Sequence, residues 1–200
     1  MSFVFKKRVT GPCICAVLTL TASALAQAPP ASWLDRPAVG WNKAGDKPPA
    51  PPAIQGGESR GEIVGRCKLM PPQSTAAERA VDAAGWIPFW NFDQQLVRDD
   101  VEVVGGMRGA DGMCRPTSYN LFVFVGGRFA GVLSPAPMGS RLDSSSGAVR
   151  LPLPNVTVDF ARYTSTDALC CPSSHVRVTY RIDRAAAGPV VVPTEIKTTR

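Results

Sequence analysis

Imidazole is the scarcest chemistry in this 200-residue chain, which has one histidine, His175. That scarcity excludes an H-E-x-x-H metalloprotease or any histidine-rich metal centre. Long apolar runs are missing too. Nothing approaches the ~20 apolar residues of a membrane helix, so an integral membrane protein is excluded. Charge of one sign is also in short supply. Against 16 Asp+Glu stand 22 Lys+Arg, and Lys6, Lys7 and Arg8 lie in a segment expected to be cut away. The remaining cations are scattered, which argues against nucleic acid as a partner. No G-x-S-x-G elbow, phosphate-binding glycine loop or D-x-D-x-D-G loop is present. No cofactor and no metal are expected.

What is present begins with an export signal. Lys6 to Arg8 precede an apolar run from Cys13 to Leu25, and Ala24-Leu25-Ala26 fits the small-x-small cleavage rule. Residues 1–26 therefore read as a signal peptide, with Gln27 as the new N-terminus. Neither Cys13 nor Cys15 follows a Leu-small-small lipobox, so a soluble periplasmic or secreted protein is expected.

Four cysteines remain: Cys67, Cys114, Cys170 and Cys171. An even number in an exported chain implies two disulfides. Three pairings are open. A bridge between neighbours needs a strained eight-membered ring, which favours Cys67 and Cys114 each reaching one member of the doublet. A four-thiolate zinc site is disfavoured, because adjacent cysteines present their sulfurs awkwardly.

Residues 27–60 are rich in Pro, Ala and Gly and read as a disordered arm, interrupted by Trp33 and Trp41. A single domain is expected over 61–200. Thr75-Ala76-Ala77-Glu78 forms a capping box, and Ala77, Ala80, Val81 and Ala84 recur at helical spacing up to Gly85. Strands are predicted at Val101–Val104, Tyr119–Val125, Arg128–Leu133, Val149–Leu153, Val156–Ala161 and His175–Ile182. The second is apolar on both faces and expected to be central. Gly126-Gly127 supplies a hairpin turn. The fold class is α+β: an antiparallel sheet of about five or six strands with one packed helix, stapled by two disulfides.

The blocks Asp111-Gly112-Met113-Cys114-Arg115-Pro116, Leu133-Ser134-Pro135 with Met138 and Ser140-Arg141, and Leu169-Cys170-Cys171-Pro172-Ser173 carry a resemblance. Together with Gly85-Trp86 and the strand-glycine-strand hairpin, they make the last two-thirds of the chain similar to the LppP/LprE family of bacterial exported proteins and lipoproteins. The resemblance implies export and assigns no reaction. The missing lipobox departs from the lipoprotein members.

Two functions of different class compete. In the first, the domain does no chemistry and binds an envelope component or protein partner, for instance as an inhibitor of a cell-wall enzyme. Residues 134–147 would be the binding loop, since a loop of this length carries function or has no fixed structure. Arg141 and Arg162 offer forks to an anionic group, Met138 and Tyr163 apolar contact, with Asp143 alongside. The plainer alternative pairs Arg141 with Asp143 or Asp167 and merely fastens the loop. In the second, the chain is a periplasmic serine hydrolase with Ser134 or Ser140 as nucleophile and His175 as base. Asp111, Asp143, Asp159 and Asp167 have no spacing that makes two of them converge as a glycosidase would need.

Overall fold

The computed structural model describes residues 32–53, 56–69, 75–89 and 96–199. The expected signal peptide and its cleavage point lie outside them. Two antiparallel sheets face each other across one core. The first holds β1 (Ile87–Phe89), β2 (Leu96–Arg98), β3 (Val101–Ala110), β4 (Pro116–Val125) and β5 (Arg128–Val132). Its order is β1-β3-β4-β5, with β2 pairing on β3 ahead of β1. The second runs β6 (Ser146–Arg150), β7 (Asn155–Arg162), β8 (Ser174–Ala185) and β9 (Gly188–Thr199), in that order.

β4 is central, as its two apolar faces require. Tyr119, Leu121, Val123 and Val125 join Val101, Val103 and Met107 in the core between the sheets. Phe122 and Phe124 point the other way, onto α2 (Ala76–Ala83) and Trp86. Thr75 and Glu78 form the capping box of α2. Gly106 lets the helix sit close, because a Cβ there would come within 2.8 Å of both Val81 and Phe122. The second sheet alternates cleanly. Val156, Val158, Phe160, Val176, Val178, Tyr180 and Ile182 face inward, while His175, Arg177 and Arg181 stay exposed. Tyr119 ties the sheets together by hydrogen bonds with Ser146 at 2.8 and 2.9 Å, as does the Tyr180 hydroxyl by donating to the Leu133 carbonyl.

The single sheet and single helix of the sequence reading become, among the described residues, two sheets and two α-helices. β9 is an edge strand whose Pro193 sits at a bulge opposite Tyr180, where proline is tolerated. The second helix, α1 (Arg60–Arg66), opens with a capping box between Ser59 and Glu62. The expected cysteine pairing is corrected as well. Cys67 caps the C-terminus of α1 beside the β3–β4 turn, 5.5 Å Cα to Cα from Cys114, and these two are bridged. Cys170 and Cys171, on the β7–β8 loop of the other sheet, pair with each other.

Residues 32–53, inside the arm expected to be loose, lie against the domain. Trp33 packs edge-on against Phe160 and Trp41, with centroids 5.1 and 5.3 Å apart. Asn42 hydrogen-bonds β5 and β9, and Trp86 Nε1 donates to the Pro49 carbonyl at 2.7 Å. This stretch thus finds partners that composition does not reveal.

Candidate functional site

One end of the second sheet gathers most of the residues singled out from sequence. Arg162 closes β7, and two carboxylates meet on it through three hydrogen bonds. Its Nη1 and Nη2 donate to the Asp35 carboxylate at 2.8 and 3.0 Å, and its Nε donates to Asp143 Oδ1 at 2.8 Å. The forked contact with Asp35 is the strong, planar kind. Each charge stabilises the other, so the Asp35 carboxyl is held below its ordinary value and the Arg162 guanidinium above it, both chiefly through this hydrogen bond. Arg162 is thereby spent on fastening two loops, so it offers no free fork to a ligand. Asp143 also accepts the Tyr163 amide at 3.2 Å.

Arg141 does not take the partner expected of it. Asp143 is engaged by Arg162, and Asp167 by Thr164 and Ser173. Among the described residues Arg141 has no ion pair, and it sits exposed at φ +61°. Ser144, three positions on, also has positive φ, at +67°. Non-glycine residues in that region cost energy and need surrounding contacts to hold them. Here Ser144 Oγ shares a 2.8 Å hydrogen bond with Ser32 Oγ, and its amide donates to Ala161 O at 2.8 Å.

Asp167 organises the neighbouring loop. It accepts the Thr164 amide and hydroxyl at 2.8 and 2.7 Å, the Ser173 amide at 2.8 Å, and the Ser173 hydroxyl. These donors, Ser173 first, hold its carboxyl well below the usual carboxylate range. Tyr163 Oη donates across the loop to Leu169 O at 3.1 Å. The loop is closed at its base, and it presents Leu169 at 64% exposure with Cys170 and Cys171 beside it. Across Asp143 and Tyr163 lies Leu142, 56% exposed. The end therefore shows two large apolar side chains and one cation on backbone fixed from within.

Met138 belongs elsewhere. It is buried and pairs with Tyr119 by backbone hydrogen bonds of 2.7 and 2.9 Å, which places it in the core, away from any ligand. Ser134 is buried too, and its hydroxyl donates to Ala136 O at 2.6 Å. The Ser140 amide donates to Pro116 O. His175 stands on the exposed face of β8, and among the described residues no serine hydroxyl bonds to its ring. The parts of the serine hydrolase are not brought together.

Asp35, Leu142 and Leu169 escape sequence reasoning. Asp35 meets Arg162 across 127 residues of sequence, and exposure of a leucine has no sequence signature. The described residues hold no group of three or more His, Cys, Asp or Glu placed to bind a metal, and no helix among them is long and apolar enough to cross a membrane.

Fold and site together define a disulfide-bonded, two-sheet domain whose exposed loops are fastened by the Arg162 ion pairs and by hydrogen bonds to Asp167. Residues 98–185 match the family model described as LppP/LprE lipoprotein, from the end of β2 to the end of β8, so the likeness carried by Asp111 to Ser174 is borne out. No curated protein and no solved structure matches the chain.

Proposed function

We propose that this protein is an exported envelope protein that works by binding another protein through the loops at residues 139–146 and 163–173. The carrying observation is Leu142 and Leu169 exposed on the two loops that Arg162, Asp143 and Asp167 fix. Exposed leucines on pre-organised backbone suit recognition, because little ordering cost is left to meet on association. Arg141, with no ion pair among the described residues, adds a charge that selects the partner's acidic surface. The family match, whose printed description is a lipoprotein, supports export to the envelope.

The test is site-specific photo-crosslinking in the exporting cell. A photoreactive residue at 169 or 142 should trap one discrete protein, and one at exposed Lys197 on β9 should not. With the photoreactive residue moved to exposed Ser165 on the same loop, Leu142→Asp with Leu169→Asp should remove the adduct while leaving thermal unfolding unchanged. An adduct that persists in the double variant overturns the assignment of this surface.

A further inference from the structure

The two disulfides are of different kinds. Cys67–Cys114 closes 47 residues of chain between half-buried cysteines, with Arg66 Nη1 3.4 Å from Cys114 Sγ. A loop of that length restricts the unfolded chain and so stabilises the fold. Cys170–Cys171 joins residues one apart, closes no chain loop, and therefore removes almost no freedom from the unfolded state. Nor is it needed to shape its loop. Asp167 clamps Thr164 to Ser173, Tyr163 Oη holds Leu169 O, and the Cys171 amide donates to Ala168 O at 2.9 Å. Both of its cysteines are exposed. A disulfide that adds little stability and lies open to attack is available for chemistry.

We propose that Cys170–Cys171 is a redox-active disulfide that oxidises dithiols in the envelope. One thiolate of the incoming dithiol attacks a sulfur of the pair. That forms a mixed disulfide and expels the neighbouring cysteine as thiolate. The second thiol of the substrate, deprotonated, then attacks the mixed disulfide at the substrate's own sulfur and releases the other cysteine. The substrate leaves as a disulfide, having lost two electrons and two protons. Cys170 and Cys171 gain both electrons and take up the protons as thiols. The chemistry is shared by a small dithiol and a cysteine pair on a polypeptide.

The full exported chain is treated with limiting dithiothreitol, quenched by alkylation and mapped by peptide mass. Labels are expected at Cys170 and Cys171 while Cys67 and Cys114 stay bridged, with reduction at least about ten-fold faster at the doublet. A second arm offers a peptide carrying two reduced cysteines. The wild type should oxidise it one for one, and Cys170→Ser with Cys171→Ser should not. Oxidation of dithiothreitol without the peptide would restrict the substrate to small dithiols. That double variant should melt at the wild-type temperature. Free thiols at 170 and 171 in the exported protein, equal reduction of both bridges, or a melting loss like that of Cys67→Ser would each overturn the proposal.

Discussion

Asn42 fills the space beside Gly131, where a Cβ would lie within 2.6 Å of both heteroatoms of the Asn42 amide. Its Nδ2 donates to Val132 O at 3.0 Å on β5 and to Val191 O at 2.9 Å on β9, and its Oδ1 accepts the Val132 amide at 2.9 Å. One side chain from the Pro-rich arm thus joins the edges of both sheets and satisfies backbone groups that would otherwise be left open.

Gly131→Ala should destabilise the fold by about 1–3 kcal/mol, since φ is +138° there. The new methyl also evicts an amide that three hydrogen bonds hold in place. Asn42→Ala should cost about 1–3 kcal/mol by leaving part-buried backbone groups unpaired. The two losses should be less than additive in the double variant, because the clash disappears with the amide. Urea unfolding of the four proteins reads this directly, and strict additivity would count against the contact.

The covalent tie from α1 to the β3–β4 turn gives a second expectation. Cys67→Ser with Cys114→Ser should lower stability by about 4 kcal/mol, with the loss concentrated at α1. Hydrogen exchange over residues 60–67 should rise above that of β4. An unchanged unfolding midpoint would mean that Arg66, bonded to Glu58 and to the Asp111 carbonyl, already holds the helix there.

Local signals account for what the sequence discloses. β4 is legible because apolar residues on both faces demand a covered, central strand, and β8 because its alternation matches a half-buried edge of the core. Thr75 and Glu78 announce α2. Ser59 and Glu62 announce α1 in the same way, but Gly61 and Gly65 dilute its helical pattern and the surrounding prolines disguise it. β9 hides behind Pro189 and Pro193, which composition counts against a strand and a bulge on an edge accommodates. The second sheet is illegible because strand order depends on the turn-back after Leu133, where the chain pairs Met138 with Tyr119. At the site, Arg162 and Tyr163 can be picked out by residue type, yet their partners are set by distant contacts. Met138 reads as ligand-facing from its loop and is buried by that same backbone pairing.

Acid should weaken the fold through carboxylates paired in the native state. Asp159 accepts Arg177 at 2.7 and 3.1 Å and Arg150 at 2.7 Å, and these bonds, Arg177 first, hold its carboxyl below the ordinary value of 3.8. A carboxylate depressed in the folded state stabilises above its unfolded value and loses that contribution as pH falls through the folded one. Stability should therefore drop from about pH 4 downward. Asp159→Asn should melt lower than wild type at pH 7, and the gap between the two curves should narrow as pH falls below the ordinary carboxylate range and the wild-type carboxyl protonates. Parallel curves across that range would show that Asp159 contributes by packing.

Arg162→Lys separates fastening from folding. A lysine keeps the charge but has no planar fork, so it cannot hold Asp35 through two bonds while also serving Asp143. The ion pairs are partly solvated, with Arg162 at 24% and Asp35 at 47% side-chain exposure, so global stability should change by less than about 1 kcal/mol. The local consequence should be larger. Exchange should rise together at Leu34, Ser144 and Ser145, because the arm and the 139–146 loop share this one guanidinium. Partner capture at Leu142 should weaken with it, since a loop free to move meets an ordering cost on binding. Faster exchange with undiminished capture would separate the two properties and place recognition on Leu169 and its Asp167-clamped loop alone.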